Sequence, residues 1–261
     1  MKRSVNDRIL TEALEASDGG PPVAIATVVA TQGSVPRHIG TAMLVRQDGS
    51  TIGTIGGGRV EQEIIADALR TIAERSPETR SYDLRDPTQG DLGICGGTMT
   101  VYLEPHMAAH TVFVVGAGHV GRAVVDLAHW LGFRTVVVDD RSELVDADAQ
   151  PLADVRFAGT VADALEAHPV TEDTSIVVVT RSHELDAEIV PLLLETPARY
   201  VGVMGSRRRW QATRSEIEQG GVDATVVDTI HNPIGLDIGA ESVEEIAVSI
   251  MAQVINARAE A

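Results

Sequence analysis

The chain has 261 residues, a single cysteine, and a formal net charge of −17 from 38 acidic residues against 21 Lys and Arg. A field of that sign repels polyphosphate backbones and argues against general nucleic-acid binding, and one thiol excludes an intramolecular disulfide. Aromatics make up only 3%, so the cores fall to aliphatic side chains, a composition that suits buried parallel strands covered by helices.

Along the chain, Asn6 to Ala16 sets Ile9, Leu10, Ala13 and Leu14 on one helical face. The β-branched run Val23–Thr31 predicts a buried strand. Ala42–Arg46 and Ser50–Ile55 predict two more, joined by a turn at Gln47-Asp48-Gly49. A helix is expected from Val60 to Glu74, then strands at Arg80–Leu84 and Thr98–Leu103, completing a mixed α/β domain over residues 1–105. Pro105 to His110 reads as a linker. From Thr111 to the end, strand and helix alternate, with strands at Thr111–Val115, Thr135–Asp139, Val155–Phe157, Ser175–Thr180, Tyr200–Met204 and Thr225–Thr229. That alternation predicts a second α/β domain, 111–261, built on a doubly wound parallel sheet. A final helix, Glu241–Ala257, carries an apolar stripe that serves either the domain core or a homodimer interface. No segment approaches the apolar length that spans a bilayer and the first residues carry no apolar signal core. No membrane association is expected, and the expected location is the cytoplasm.

The clearest motif is Gly116-Ala117-Gly118-His119-Val120-Gly121, which follows an apolar strand and opens a helix. In that context GxGxxG is a Rossmann fingerprint: Gly116 allows the tight turn, Gly118 the close approach of a pyrophosphate, and Gly121 the packing of helix on strand. Asp139 lies 139 − 121 = 18 residues past the last glycine, near the spacing of a carboxylate that reads an unphosphorylated ribose. The fingerprint is equally compatible with a cleft that has been emptied or repurposed. His119 is either a ligand contact or an ordinary helix-start histidine, and His183 stands on the same sheet edge with the same two readings. Gly205-Ser206-Arg207 opens another helix there, as an N-cap with cations facing an anion or as a plain basic helix start.

Three glycine-rich segments mark the N-terminal half: Gly33-Ser34-Val35-Pro36-Arg37, Gly56-Gly57-Gly58 followed by Glu61, and Cys95-Gly96-Gly97. Consecutive glycines either make tight turns or let main-chain amides close on an anion. Cys95, flanked by glycine, is a nucleophile or soft metal ligand on one reading and a small packed residue on the other. One Cys and scattered His supply no closed zinc set.

Together these segments, with Gly202-Val203-Met204-Gly205-Ser206-Arg207 and Pro233-Ile234-Gly235-Leu236-Asp237-Ile238-Gly239-Ala240, resemble the XdhC/CoxI family of accessory proteins of molybdenum hydroxylases such as xanthine dehydrogenase. The resemblance spans nearly the whole chain. It implies a factor that binds the molybdenum cofactor (molybdopterin) as cargo, promotes its sulfuration by a cysteine desulfurase and delivers it to an apo molybdenum hydroxylase. On that footing the cofactor-binding residues are Gly33, Ser34, Pro36, Arg37, Gly56, Gly57, Gly58, Glu61, Cys95, Gly96 and Gly97. Arg37 is then a partner for the cofactor phosphate and Cys95 a molybdenum contact or sulfur carrier. Gly116, Gly118, His119, Gly121, Asp139, Gly205, Ser206 and Arg207 are set aside for NAD or another nucleotide. The sequence departs from the family at Arg59, where many relatives carry a small residue or Cys, and at Thr180-Arg181, where Thr-His is usual. Two other readings stay open: an NAD-dependent oxidoreductase, and a nucleotide-sensing regulator of hydroxylase assembly.

Overall fold

The computed structural model describes residues 4–84 and 96–259, and the chain divides into two compact units, Met1–Ala109 and His110–Ala261. In the first, Ser4 starts α1 (Val5–Ser17). Its hydroxyl accepts the Asp7 N–H while the Asp7 carboxylate accepts the Ser4 N–H, satisfying two donors the helix leaves open. Strands β1 (Val23–Gln32), β2 (Ala42–Arg46) and β3 (Thr51–Gly53) lead into α2 (Gly58–Glu74), followed by β4 (Glu78–Asp83) and β5 (Thr98–His106). The sheet runs β3-β2-β1-β5-β4, antiparallel throughout. One face, with Ala24, Met43 and Val101, buries Ile64 and Ala68 of α2. On the other, Val23, Leu44 and Ile52 receive Ile9 and Ala16 of α1. β5 is longer than the sequence suggests: Pro105 and His106, read as linker, pair with Ala24 and Val23, because β1 begins early enough to hold them.

The second unit runs β6 (Thr111–Val115), α3 (His119–Trp130), β7 (Arg134–Asp139), β8 (Val155–Ala158), α4 (Val161–Ala167), β9 (Thr174–Val178), α5 (His183–Leu194), β10 (Tyr200–Val203) and α6 (Arg207–Gln219), alternating strand and helix except that only a short 3-10 turn, Ser142–Leu144, separates β7 from β8. All its pairings are parallel, in the order β10-β9-β6-β7-β8. The order reverses between β6 and β9, and ligands of such sheets bind at the carboxyl ends of the strands beside that reversal. Valines alternate between two cores, Val112 and Val114 facing one side and Phe113 and Val115 the other.

One expected strand needs correction, and one open alternative is decided within the unit. The strand expected at Thr225–Thr229 is instead a short helix, α7 (Ala224–Val227), because the Asp223 carboxylate takes the Thr225 N–H at 2.8 Å and its hydroxyl at 2.6 Å, a helix-start arrangement that overrides β-branched propensity. The neighbouring sheet position is taken by His231, whose N–H donates to the Val201 carbonyl and whose carbonyl accepts the Val203 N–H. The last helix, α8, runs Val243–Ala259, and Ala247, Ile250, Met251 and Val254 of its stripe are buried with Val112 and Val124. The stripe therefore belongs to the unit's own core.

Gly121 shows how tightly the first turn of α3 is packed. A Cβ there would lie 1.9 Å from the Gly116 carbonyl oxygen. Gly121→Ala is expected to destabilise the protein by about 1–3 kcal/mol, read as a lower urea midpoint with unchanged slope.

Candidate functional site

In the first unit the three glycine segments converge. A Cβ on Gly56 (φ 138°) would meet Pro36 Cγ at 2.6 Å, and one on Gly97 would meet the Gln32 and Ser34 carbonyl oxygens at 2.4 and 2.6 Å. Gly33, at φ 77°, is equally hemmed in by Gly97 Cα at 3.0 Å. The segments at 33–34 and 96–97 thus touch backbone to backbone, while Gly56 lies against the ring of Pro36, and glycine is required by those contacts. Cys95, with Gly93 and Ile94 before it, lies outside the described residues.

The amides of the middle loop are already engaged. Glu61 turns back from the first turn of α2, and its Oε2 accepts the Ile55 N–H at 2.9 Å, the Gly57 N–H at 3.0 Å and the Thr54 hydroxyl. The Gly56 N–H donates to Thr54 Oγ1 at 3.2 Å. Gly57 is the N-cap of α2 and offers no side chain, so Glu61 supplies the negative charge the helix start favours. Burial opposes its ionisation, but the Thr54 hydroxyl and the N–H groups of Gly57, Ile55 and Gly56 outweigh that and hold the carboxyl below its usual range. Glu61, grouped from sequence with the ligand contacts, therefore binds the loop itself.

Beside it, Arg37, Asn6, Thr41, Gly53 and Thr54 line a groove of about 490 Å³. Arg37 is exposed and has no ion pair or hydrogen bond among the described residues. Ser34 and Gly58 are also exposed.

In the second unit, Gly116 (φ 107°) turns the chain where a Cβ would meet the Val179 carbonyl oxygen at 2.7 Å, while Gly118 faces open space. Gly118 caps α3 without a side-chain partner, no acidic residue occupies its first turn, and His119 is exposed. Among the described residues no side chain caps the start of α3.

Asp139 ends β7 as the spacing requires, but its carboxylate faces inward. Oδ1 accepts the Arg141 N–H at 3.0 Å and Arg141 Nε at 2.8 Å; Oδ2 accepts the Ala117 N–H at 2.8 Å and Arg141 Nη2 at 2.8 Å. Burial raises its pKa, and the guanidinium and the two amides more than reverse the effect. A carboxylate has about four lone-pair positions, and all four are filled. The ribose-reading role expected from spacing has no acceptor left to perform it. Asp140, by contrast, is exposed and paired with Arg181, each Oδ accepting one Nη at 2.7 Å. Arg181 holds its carboxyl far below the usual range. These groups rim a cavity of about 230 Å³ that reaches down to Gly116.

Gly205 and Ser206 do open a helix: the Ser206 hydroxyl accepts the Arg209 N–H at 3.2 Å. Arg207 is exposed, whereas Arg209, two residues on, reaches inward to Asp186 at 2.6 Å and to the Thr180 and Ser182 carbonyl oxygens. Asp186 is 1% exposed. Asp186 and Arg141 were not among the residues singled out from sequence, while Arg181 entered only as a departure from the family and Arg209 only as the end of a basic run. A cation two residues after Asp139 was the one visible hint. His183 sits 3.5 Å from Glu216 and 3.3 Å from Glu184. Among the described residues no His, Cys, Asp and Glu cluster could hold a metal, and no helix is long and apolar enough to cross a membrane.

A family model described as the XdhC Rossmann domain matches residues 112–254, and another, described as the XdhC and CoxI family, matches residues 16–83. The chain belongs to the XdhC/CoxI family. It is 34% identical over 254 residues to the uncharacterized protein YqeB of Escherichia coli (strain K12), covering 96% of this chain and 46% of YqeB, so it spans about half the length of that relative. It is 25% identical over 279 residues to the molybdenum cofactor insertion chaperone PaoD of the same organism, covering 96% of this chain and 88% of PaoD. A crystal structure of a xanthine dehydrogenase from Bacillus halodurans superposes with a TM-score of 0.53 at 25% identity, over 99% of this chain and 96% of that one. In this XdhC/CoxI chain, Arg37, Glu61 and the first two glycine segments fall inside one family match and Gly116–Gly121, Asp139 and Arg207 inside the other. Cys95, Gly96 and Gly97 lie in neither.

The Glu61 contacts set a pH dependence. A carboxyl held below its ordinary value of 4.5 stabilises fully above that value and loses the contribution as pH falls through the lower folded-state value. Glu61→Gln keeps an acceptor but loses the charge, and is expected to cost on the order of 1–2 kcal/mol at pH 7. Chemical denaturation along a pH series should show the gap to wild type narrowing below about pH 4. A gap unchanged with pH contradicts the assignment.

Proposed function

We propose that the chain is a molybdenum cofactor insertion chaperone for a molybdenum hydroxylase. The observation that carries the reading is the likeness to PaoD, which covers almost all of this chain and most of that protein, supported by family matches in both units. The cargo is a pterin bearing a dithiolene and a phosphate. The glycine-loop amides at Ile55 and Gly57 do not fit its phosphate as they stand, since Glu61 holds them. The groove beside Arg37 fits better: it pairs an uncommitted guanidinium with the amide of Asn6 and the hydroxyl of Thr41, and a guanidinium on a phosphate is a strong, oriented contact.

In this reading the N-terminal unit holds the cargo and Glu61 fixes the loop beside it. Cys95 carries sulfur or touches molybdenum while a cysteine desulfurase sulfurates the cofactor, and an apo hydroxylase then receives it. An NAD-dependent oxidoreductase has less support, because Asp139 is saturated by Arg141 and Ala117. A nucleotide-sensing role for the second unit draws support from the start of α3, which no side chain caps among the described residues.

The test is anaerobic titration of the purified protein with isolated molybdenum cofactor, followed by transfer to an apo hydroxylase. Saturable uptake is expected. Arg37→Ala should weaken it by about tenfold at unchanged thermal stability. Absence of saturable uptake by the wild type overturns the chaperone reading. Uptake unaffected by Arg37→Ala overturns the groove alone.

A further inference from the structure

The cavity at the reversal of the second sheet has a clear division of character. Its walls are apolar, with Val138, Val161, Leu185 and Ile189 among them, and its charged groups are Asp139, Asp140, Arg141, Arg181 and Glu188. A cavity that combines apolar walls with a few charged groups suits a planar heterocycle whose polar substituent faces those charges. The nature of that substituent follows from which groups still have capacity to bind.

Where an Asp closes the second strand of such a fold, its carboxylate ordinarily accepts from the ribose hydroxyls, whereas a nearby Arg accommodates a ribose phosphate. Here the two residues are locked together. Asp139 accepts four hydrogen bonds, three of them from Arg141, and a hydroxyl could bind only by displacing one of them. Arg141 spends Nε and one N–H of Nη2 on that contact, while Nη1 has no hydrogen-bond partner among the described residues. Its side chain remains 38% exposed. Across the mouth, Arg181 uses both Nη atoms on Asp140 and keeps its Nε. The donors left to a ligand at this rim are guanidinium N–H groups. The acceptors left are the second lone pairs of the charge-neutralised Asp140, and Glu188.

We infer that this cavity takes a nucleoside phosphate whose ribose carries a phosphate facing Arg141, and that Arg141, by saturating Asp139, selects that phosphate against the free ribose diol. Arg141 acts twice: it supplies the donors for the phosphate and it withholds the acceptor a diol needs. An incoming phosphate also draws Arg181 from Asp140, so affinity falls with added salt. The inference concerns the second unit alone and stands or falls independently of cargo binding in the first.

Calorimetry of the full chain with adenosine 2′,5′-bisphosphate and with 5′-AMP, which differ only in the 2′-phosphate, tests it directly. The wild type should bind the bisphosphate at least about tenfold more tightly. Arg141→Ala should reverse the order, weakening the bisphosphate by about tenfold while tightening 5′-AMP, because Asp139 regains free lone pairs. Loss of donors alone would weaken the first without tightening the second, so the reversal separates selection from simple charge removal. Should Arg141→Ala fold poorly by circular dichroism, Arg141→Gln, which loses the charge but keeps most of the side-chain bulk, is read by the same pair of ligands. Wild-type preference for 5′-AMP, equal affinity, failure of both to bind, or a folded variant that keeps the wild-type order overturns the inference.

Discussion

Both units depend on the same device: a carboxylate from the chain binds the main-chain amides of its own glycine loop. Glu61 lies on Ile55 and Gly57 at the start of α2, and Asp139 lies on Ala117 at the start of α3. Glycine is needed in these loops because neighbouring atoms come within contact distance, as at Gly56 against the Pro36 ring and Gly121 against the Gly116 carbonyl. Loops so poor in side chains leave donors that must be satisfied, and a fixed carboxylate does so without an external ion. Each then acquires a partner that balances its charge or desolvation: the Thr54 hydroxyl for Glu61, and the Arg141 guanidinium for Asp139.

The consequence for binding is that glycine clusters do not mark the open positions. In the first unit Arg37, which has no ion pair among the described residues, stands on the rim of the neighbouring groove rather than in the glycine loop. In the second, no side chain among the described residues caps the start of α3, and the uncommitted donors are on the outer edge of Arg141. Among the described residues several arginines have no ion pair, and what sets Arg37 apart is its place on a groove. Arg209 illustrates the opposite case. It sits in a basic run that looks like an anion site, yet it is committed to Asp186 and two carbonyl oxygens.

Much of the architecture was legible from periodicity. The valine runs of β6, β7 and β9 and the GxGxxG turn fixed the parallel sheet and its first crossover, since a buried strand and a glycine turn leave few alternatives. Thr225–Thr229 misled because β-branched residues imply a strand, while one preceding Asp was enough to start a helix. At the site, spacing located Asp139 correctly but carried no information on which way its carboxylate points, and that direction is set by Arg141. Asp186 and Arg209 were illegible for a different reason. Twenty-three positions separate them, and nothing local in either neighbourhood implies the other. The family resemblance supplied the functional class, which no motif of the chain encodes by itself.

The claim that glycine-loop amides are held by the chain's own carboxylates is tested most directly by a nuclear magnetic resonance titration of the Glu61 and Asp139 carboxyl carbons together with the amide protons of Ile55, Gly57 and Ala117. The account predicts that both carboxyls titrate below the ordinary range for their type, and that each set of amides shifts on the same curve as its own carboxylate. Carboxyls that titrate at ordinary values, with amide protons indifferent to them, would contradict it.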